Sequence, residues 1–333
     1  MKTLHVEKLI SDNDMPKYFN TFVKPSQIKT ILDEDADVYT SDGKLLLRFR
    51  KNKLSKEKTD KFYNAVADFT MKHPTKNRGS TTGSKKKDIR HNPAVMSSIL
   101  GYFDRWGPSH KISFNKLKMK QPLEVRETMF SGTHPDKFKK TFPYVKEIDE
   151  QYKKLVPAQY KKQRKKANQT FFKIPGTSFT TITTNINFQT SIHTDKGDDV
   201  EGFGNLAVIE RGHYTGGETC FPQYGVAVNV REGDILFMNV HEWHGNLPIV
   251  KGNENVLRMS VVCYLRKNVW LRTKGKSKKF MQDHLQMVKD VKARIKKMTL
   301  KNKRKKGGTR KYLGGGHKSY DDMMGYDYKI KAQ

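Results

Sequence analysis

The apolar positions of this chain change their period several times, and each change predicts an element. Val38-Tyr39-Thr40 and Leu45-Leu46-Leu47-Arg48-Phe49 flank Ser41-Asp42-Gly43-Lys44, and an Asp-Gly pair between two strand-like runs predicts a β-hairpin. From Ser55 the period lengthens. Phe62, Ala65, Val66 and Phe69 recur at helical spacing, with Ser55 placed to cap the first turn. Tyr144, Val145, Ile148, Tyr152 and Leu155 form a second helical stripe within Pro143 to Lys166, interrupted at Pro157.

From about Phe171 short β-rich runs take over: Phe179 to Phe188, Leu206 to Glu210, Thr219 to Phe221, Val226 to Val230, Asp234 to Val240 and Leu257 to Leu265. Glycines at 202, 204, 216, 217, 233 and 252 separate them. Many short strands between glycine-rich turns predict a sandwich or jelly roll. Near the end, Met281, Leu285, Val288, Val291, Ile295 and Met298 make an amphipathic helix with a basic outer face. The expected organisation is a mainly β core with flanking helices. Residues 1–75 form a small N-terminal α/β cap, 76–170 a helical, basic support, 171–272 the catalytic core, and 273–333 a basic helix followed by a disordered tail around Gly314-Gly315-Gly316.

Charge adds a partner to this picture. With 65 Lys and Arg against 34 Asp and Glu, the net charge of +31 is the electrostatic footprint of a protein that meets a polyanion, above all nucleic acid. Three stretches carry candidate phosphate contacts: Tyr160 to Lys166, the tract Lys301 to Gly308, and Arg78 to Lys87. The last reads equally as a flexible basic loop over a phosphate backbone or as a solvated linker. Gly101 to Gly107 mixes aromatics with Arg105, and offers either base stacking or plain core packing. Two cysteines, Cys220 and Cys263, exclude a disulfide framework and a cysteine-based zinc site. With no apolar leader at Met1 and no membrane-length apolar run, a soluble intracellular protein is expected, nuclear if eukaryotic or inside the host cell if viral.

The candidate chemistry lies in His193-Thr194-Asp195. Residues two apart on an extended segment face the same way, so an imidazole and a carboxylate can converge on one ion. A third ligand would complete the two-histidine, one-carboxylate set of non-haem Fe(II) oxygenases. His241 and His244 both stand near the end of a later strand, and spacing alone does not choose between them. A second His-x-Asp, at His134-Pro135-Asp136, reads as a helix start. Strand alternation puts Arg258, Ser260, Val262 and Tyr264 on one face, and an Arg fork beside a hydroxyl suits a keto-diacid cosubstrate. Asn185 and Asn187 are candidates to face the pocket, whereas Arg211 and His213 read as surface residues.

Phe179 to Thr183, Ile192 to Asp198, Gly202 to Leu206, Phe221 to Val228 and His241 to Asn246 together resemble the TET/JBP family of nucleic-acid dioxygenases. The likeness is dense from about Gly101 to Leu265, and greatest to the thymine-hydroxylase (JBP-like) branch with its viral and phage relatives. The resemblance implies a double-stranded β-helix, Fe(II), 2-oxoglutarate, dioxygen as cosubstrate and ascorbate as a stimulant. It implies DNA with a flipped-out methylpyrimidine as substrate, oxidised at the 5-methyl group of thymine or 5-methylcytosine. Residue by residue, it implies His193, Asp195 and His244 as iron ligands, Arg258 as the partner of the distal 2-oxoglutarate carboxylate, and Ser260 as its neighbour. The cysteine-rich zinc extension of animal TET enzymes and the glucosylated-base domain of some JBP proteins are missing. Duplex recognition is therefore built differently here. Two other readings remain open: the same oxygenase acting on RNA or protein, and an inert basic nucleic-acid-binding protein.

Overall fold

Ile235-Leu236-Phe237-Met238 is apolar at every position, as a strand covered on both faces must be. The computed structural model, which describes residues 1–306 apart from 86–87 and 253–254, places that run inside a three-layer arrangement. The first half of the chain gives β1 (Lys2–Val6), β2 (Thr30–Leu32), β3 (Ala36–Thr40), β4 (Leu45–Arg50), α1 (Lys56–Lys72), β5 (Met96–Phe103), α2 (Pro108–Lys116), β6 (Arg126–Glu127), α3 (Met129–Thr133), α4 (Pro135–Leu155) and α5 (Pro157–Ala167). The second half gives β7 (Thr181–Ile186), β8 (Gly204–Arg211), β9 (Tyr214–Gly216), β10 (Thr219–Phe221), β11 (Val226–Val228), β12 (Ile235–Met238), β13 (Gly245–Asn246), β14 (Ile249–Lys251), β15 (Leu257–Tyr264), α6 (Lys267–Thr273) and α7 (Lys278–Lys306).

Nine strands form one sheet in the order β1-β3-β4-β12-β8-β15-β7-β5-β6, and four form a second in the order β13-β10-β11-β2. Period-2 alternation sorts the large sheet's side chains between two cores. Ile182, Ile209, Phe237, Met259 and Val261 pack with Phe62, Phe69, Tyr144, Ile148 and Tyr152 of α1 and α4. Leu206, Val208, Leu236 and Met238 point the other way and pack with Phe221, Val226 and Val228 of the small sheet. Two facing sheets with helices on one outer face make the jelly roll expected from the strand pattern.

The N-terminal residues do not stand apart as a cap. β3 and β4 extend the large sheet through β12, and β2 completes the small sheet by pairing with β11 in parallel. Likewise β5, within the stretch expected to be helical, pairs with β7 over Met96↔Ile186 to Gly101↔Thr181. The hairpin forms at Gly43, whose positive φ of 75° suits a residue without Cβ. Ser55 caps α1 by accepting from the Lys58 amide.

The second helix begins earlier than its stripe predicts. α4 starts at Pro135, confirming His134-Pro135-Asp136 as a helix start, with Asp136 in its first turn. Pro143 lies inside the helix and removes one backbone donor, but Phe138, Thr141, Tyr144 and Val145 are buried on both sides of it. Packing therefore outweighs the local break. At the other end α7 docks through Val288 and Val291 against Trp106 and Phe114, and Ile295, one turn on, is buried as well. Met298, expected on the same stripe, is 46% exposed, so the docked face ends near Ile295. The segment around Gly314-Gly315-Gly316 and the end of the Lys301–Gly308 tract lie outside the described residues.

Phe237 tests the helix-side core. It is fully buried, and its ring stacks on Tyr152 at 5.1 Å. Phe237→Ala is expected to cost about 3–5 kcal/mol, read as a lowered denaturant midpoint at unchanged slope.

Candidate metal centre and cosubstrate pocket

His193 and Asp195 lie on the extended segment that follows β7, and His244 immediately precedes β13. Two mutual backbone bonds tie the segments. The His193 amide donates to the His244 carbonyl at 2.9 Å, and the His244 amide returns the bond at 2.9 Å. The Asp195 amide adds a third, to the Val240 carbonyl at 2.9 Å. Asn246 clamps the same junction: its side-chain oxygen accepts from the Thr190 amide at 2.7 Å and the Thr190 hydroxyl at 2.5 Å.

This backbone lattice aims three ligand atoms at one point. The ligating atoms of His193, Asp195 and His244 all lie within 4.8 Å of one another. His193 Nε2 is 3.6 Å from one Asp195 oxygen, and His244 Nε2 is 3.9 Å from the other. Each Nδ1 is taken by a backbone carbonyl, Ser191 at 2.7 Å and Glu242 at 2.9 Å, which makes Nδ1 the protonated nitrogen and leaves both Nε2 lone pairs facing the carboxylate. Burial, then the neighbouring His244, holds His193 down to about 4, so its imidazole is neutral as a ligand must be. Burial and the Asp195 charge push Asp198 well above the usual carboxylate range, against the pull of Arg266. Two imidazoles and one carboxylate fit a first-row divalent metal such as Fe(II) with positions left open. His241 takes no part: its Nε2 lies 3.3 Å from the Asp199 carbonyl.

The same cavity, about 180 Å³ in volume, is lined by Arg258, Ser260, Val262 and Tyr264, the face expected from alternation along β15. Arg258 is only 4% exposed, and its Nε has no hydrogen-bond partner. Burial lowers its pKa, while Tyr214 and Glu210 pull it back up. Among the described residues no carboxylate forms an ion pair with it. Gly217, at φ +76°, leaves the guanidinium its room: a Cβ there would come to 3.0 Å from Arg258 Nε. A buried cation with a free donor in a cavity suits a bound carboxylate.

Ser260 is fixed from the other side. Ser97 donates to Asn185 Oδ1 at 2.7 Å, so the Asn185 amide donates to Ser260 Oγ at 3.3 Å, and the Ser260 hydroxyl proton is left for a ligand. Asn185 thus lines the pocket as expected. Asn187 does not: it binds the Arg258 amide and the Val256 carbonyl, and so closes β7 against β15. Arg211 is also outside, paired with Asp60 and Glu232.

Other basic candidates change character. In the 160–166 cluster, Lys162, Arg164 and Lys166 are paired with Glu201, Asp149 and Asp199, which leaves Lys161 and Lys165 exposed. Trp106 and Tyr102 are buried in packing, with Arg105 exposed. The Arg78–Lys87 stretch is not a free loop where it is described. The Thr81 carbonyl accepts from the Ser191 amide at 2.9 Å, and Asn20 bonds Gly79, Ser84 and Gly83. Arg78 reaches into the metal cavity. Only its position, on a glycine- and serine-rich run, argued otherwise.

Residues 109–267 match the Tet_JBP family, described as the oxygenase domain of the 2OGFeDO superfamily. The bifunctional helicase and thymine dioxygenase JBP2 of Leishmania braziliensis is 37% identical over 170 residues, which cover 51% of this chain and 14% of that protein. Thymine dioxygenase JBP1 of Trypanosoma brucei brucei is 33% identical over 172 residues, 51% of this chain and 19% of that protein. The chain thus spans less than a fifth of the length of these curated relatives. Among solved structures, NgTET1 in complex with 5mC DNA superimposes with a TM-score of 0.49 at 16% identity, covering 77% of this chain and 89% of that one. Over residues 109–267, this chain is therefore similar to the Tet_JBP family of 2OGFeDO oxygenase domains.

Proposed function

We propose that the chain is an Fe(II)- and 2-oxoglutarate-dependent dioxygenase that hydroxylates the 5-methyl group of a pyrimidine, thymine or 5-methylcytosine, in DNA. The observation that carries this reading is one cavity holding both the His193–Asp195–His244 cluster and the buried, carboxylate-free Arg258. The net charge of +31 and the family of residues 109–267 support DNA as the substrate.

Each residue then has a physical task. His193 and His244 offer Nε2 and Asp195 an oxygen to the iron, and the backbone bonds between 193 and 244 fix their spacing before metal arrives. Arg258 and the Ser260 hydroxyl hold the distal carboxylate of 2-oxoglutarate. When bound, the iron with 2-oxoglutarate and dioxygen supplies the power to oxidise an unactivated C–H bond, yielding succinate, carbon dioxide and a hydroxymethyl base. Leu206, Met238 and Val262 line the cavity with apolar surface and keep water from the reacting atoms. A base inside a duplex cannot reach this cavity, so the target must leave the stack, at a cost of a few kcal/mol. Exposed lysines such as Lys161 and Lys165 offset that cost through phosphate contacts. Among the described residues no helix is long and apolar enough to cross a membrane.

Mass spectrometry of nucleosides from DNA incubated with protein, Fe(II), 2-oxoglutarate and dioxygen is expected to show a hydroxymethylpyrimidine, with succinate formed in step. DNA left unoxidised while an RNA or protein substrate is hydroxylated contradicts the substrate assignment. No oxidation and no succinate contradicts the enzyme itself.

Arg258→Ala removes a charge-assisted bond, so the apparent KM for 2-oxoglutarate is expected to rise about 10- to 100-fold. An unchanged cosubstrate dependence would place the distal carboxylate elsewhere.

A further inference from the structure

Among the described residues three arginines line the cavity, and two already have partners or a task. Arg266 pairs with Asp104 and lies 4.2 Å from the centroid of the Phe103 ring. Arg258 serves the cosubstrate carboxylate in the reading above. Arg78 remains. Its guanidinium carbon sits 5.7 Å from the centroid of the Phe188 ring, which holds the group by cation–π attraction. Its Nε is sealed from solvent and has no hydrogen-bond partner. Among the described residues no carboxylate forms an ion pair with it.

A guanidinium in that state is costly unless a ligand completes it. The backbone that carries it is fixed, because Thr81 and Asn20 anchor the 78–84 segment to the segment leading into His193. Arg258 and Arg78 also face different ends of the cavity. Arg258 feels Tyr214 and Glu210, whereas Arg78 feels Asp195 and Tyr264. Arg78 stands at the metal end, because Thr81 of its own segment accepts from the Ser191 amide two residues before His193, and a substrate must bring its methyl group there.

On a 5-methylpyrimidine the exocyclic polar group next to the methyl carbon is the one at C4. In thymine it is a carbonyl acceptor, and in 5-methylcytosine an amino donor. A guanidinium has five N–H donors and no acceptor. We propose that Arg78 is a base-reading residue, which donates to the C4 carbonyl of a flipped-out thymine and leaves the amino group of 5-methylcytosine unpaired. The inference rests on the hydroxylase reading and adds to it the choice between the two bases. Arg78 lies outside the family-matched span 109–267.

The test compares two duplexes of one sequence, each with a single class of oxidisable methyl group. One carries thymine and cytosine; the other carries uracil and 5-methylcytosine. The reported quantity is the ratio of kcat/KM for the two, which does not depend on how much of a variant is folded or metal-loaded. Wild-type protein is expected to favour the thymine duplex. Arg78→Gln, whose amide can donate or accept, is expected to lower that ratio about tenfold or more, while donor-only Arg78→Lys keeps the preference. If Arg78→Gln removes both activities, Arg78→Lys decides: a retained thymine preference supports the proposal and a lost one overturns it. A ratio unchanged in Arg78→Gln, with weaker Fe(II) binding, assigns Arg78 to holding Asp195 and overturns base reading. A wild-type preference for 5-methylcytosine overturns the Arg78 role but leaves the hydroxylase reading standing. Oxidation of neither duplex overturns both.

Discussion

The site depends on two backbone hydrogen bonds, His193 to His244 and back. They join two segments some fifty residues apart in sequence, and they fix the distance between two imidazoles before any ion binds. Bringing three donors together costs conformational entropy that an isolated metal site would have to recover from metal binding alone. Here the jelly roll meets that cost through strand pairing, and the carbonyls of Ser191 and Glu242 then set both tautomers. The large sheet carries β15 past the same point, so Arg258 and Ser260 arrive on its inner face by alternation alone.

Charge is handled in two ways. Over the whole chain the basic residues outnumber the acidic by 31, an excess that suits contact with a polyanion. Inside, cations are few and each has a setting: Arg266 with Asp104, Arg258 beside Gly217 and Tyr214, Arg78 on Phe188. The 160–166 cluster joins the two regimes, since Lys166 and Arg164 brace α5 against buried acids while their neighbours remain exposed. A count of basic residues does not separate these roles, because ion pairing depends on what folding brings near.

Much of the site was legible in sequence for a definite reason. His-x-Asp and Arg-x-Ser are local patterns, and alternation along an extended chain places both members of each pair on one face. The jelly roll followed from strand runs and glycine turns in the same way. What escaped the reading is non-local. The pairing of β2 with β11 and of β5 with β7 joins segments eighty or more residues apart, so the N-terminal residues read as a cap packed on the core rather than as part of its sheets. Arg78 lay in a run of Gly, Ser and Thr whose composition signals a linker, and only its anchors on Asn20 and Ser191 turn it inward. Pro143 reads as a helix boundary locally, yet α4 passes through it because buried residues on both sides outweigh one lost bond.

We propose that His193, Asp195 and His244, with no help from His241, hold an iron that shares its cavity with 2-oxoglutarate. The most direct measurement is the visible absorption of protein mixed anaerobically with Fe(II) and 2-oxoglutarate. A chelated cosubstrate gives a weak charge-transfer band, which is expected for the wild type and for His241→Ala and absent for His244→Ala. A band that survives in His244→Ala and vanishes in His241→Ala would contradict the assignment of the metal centre.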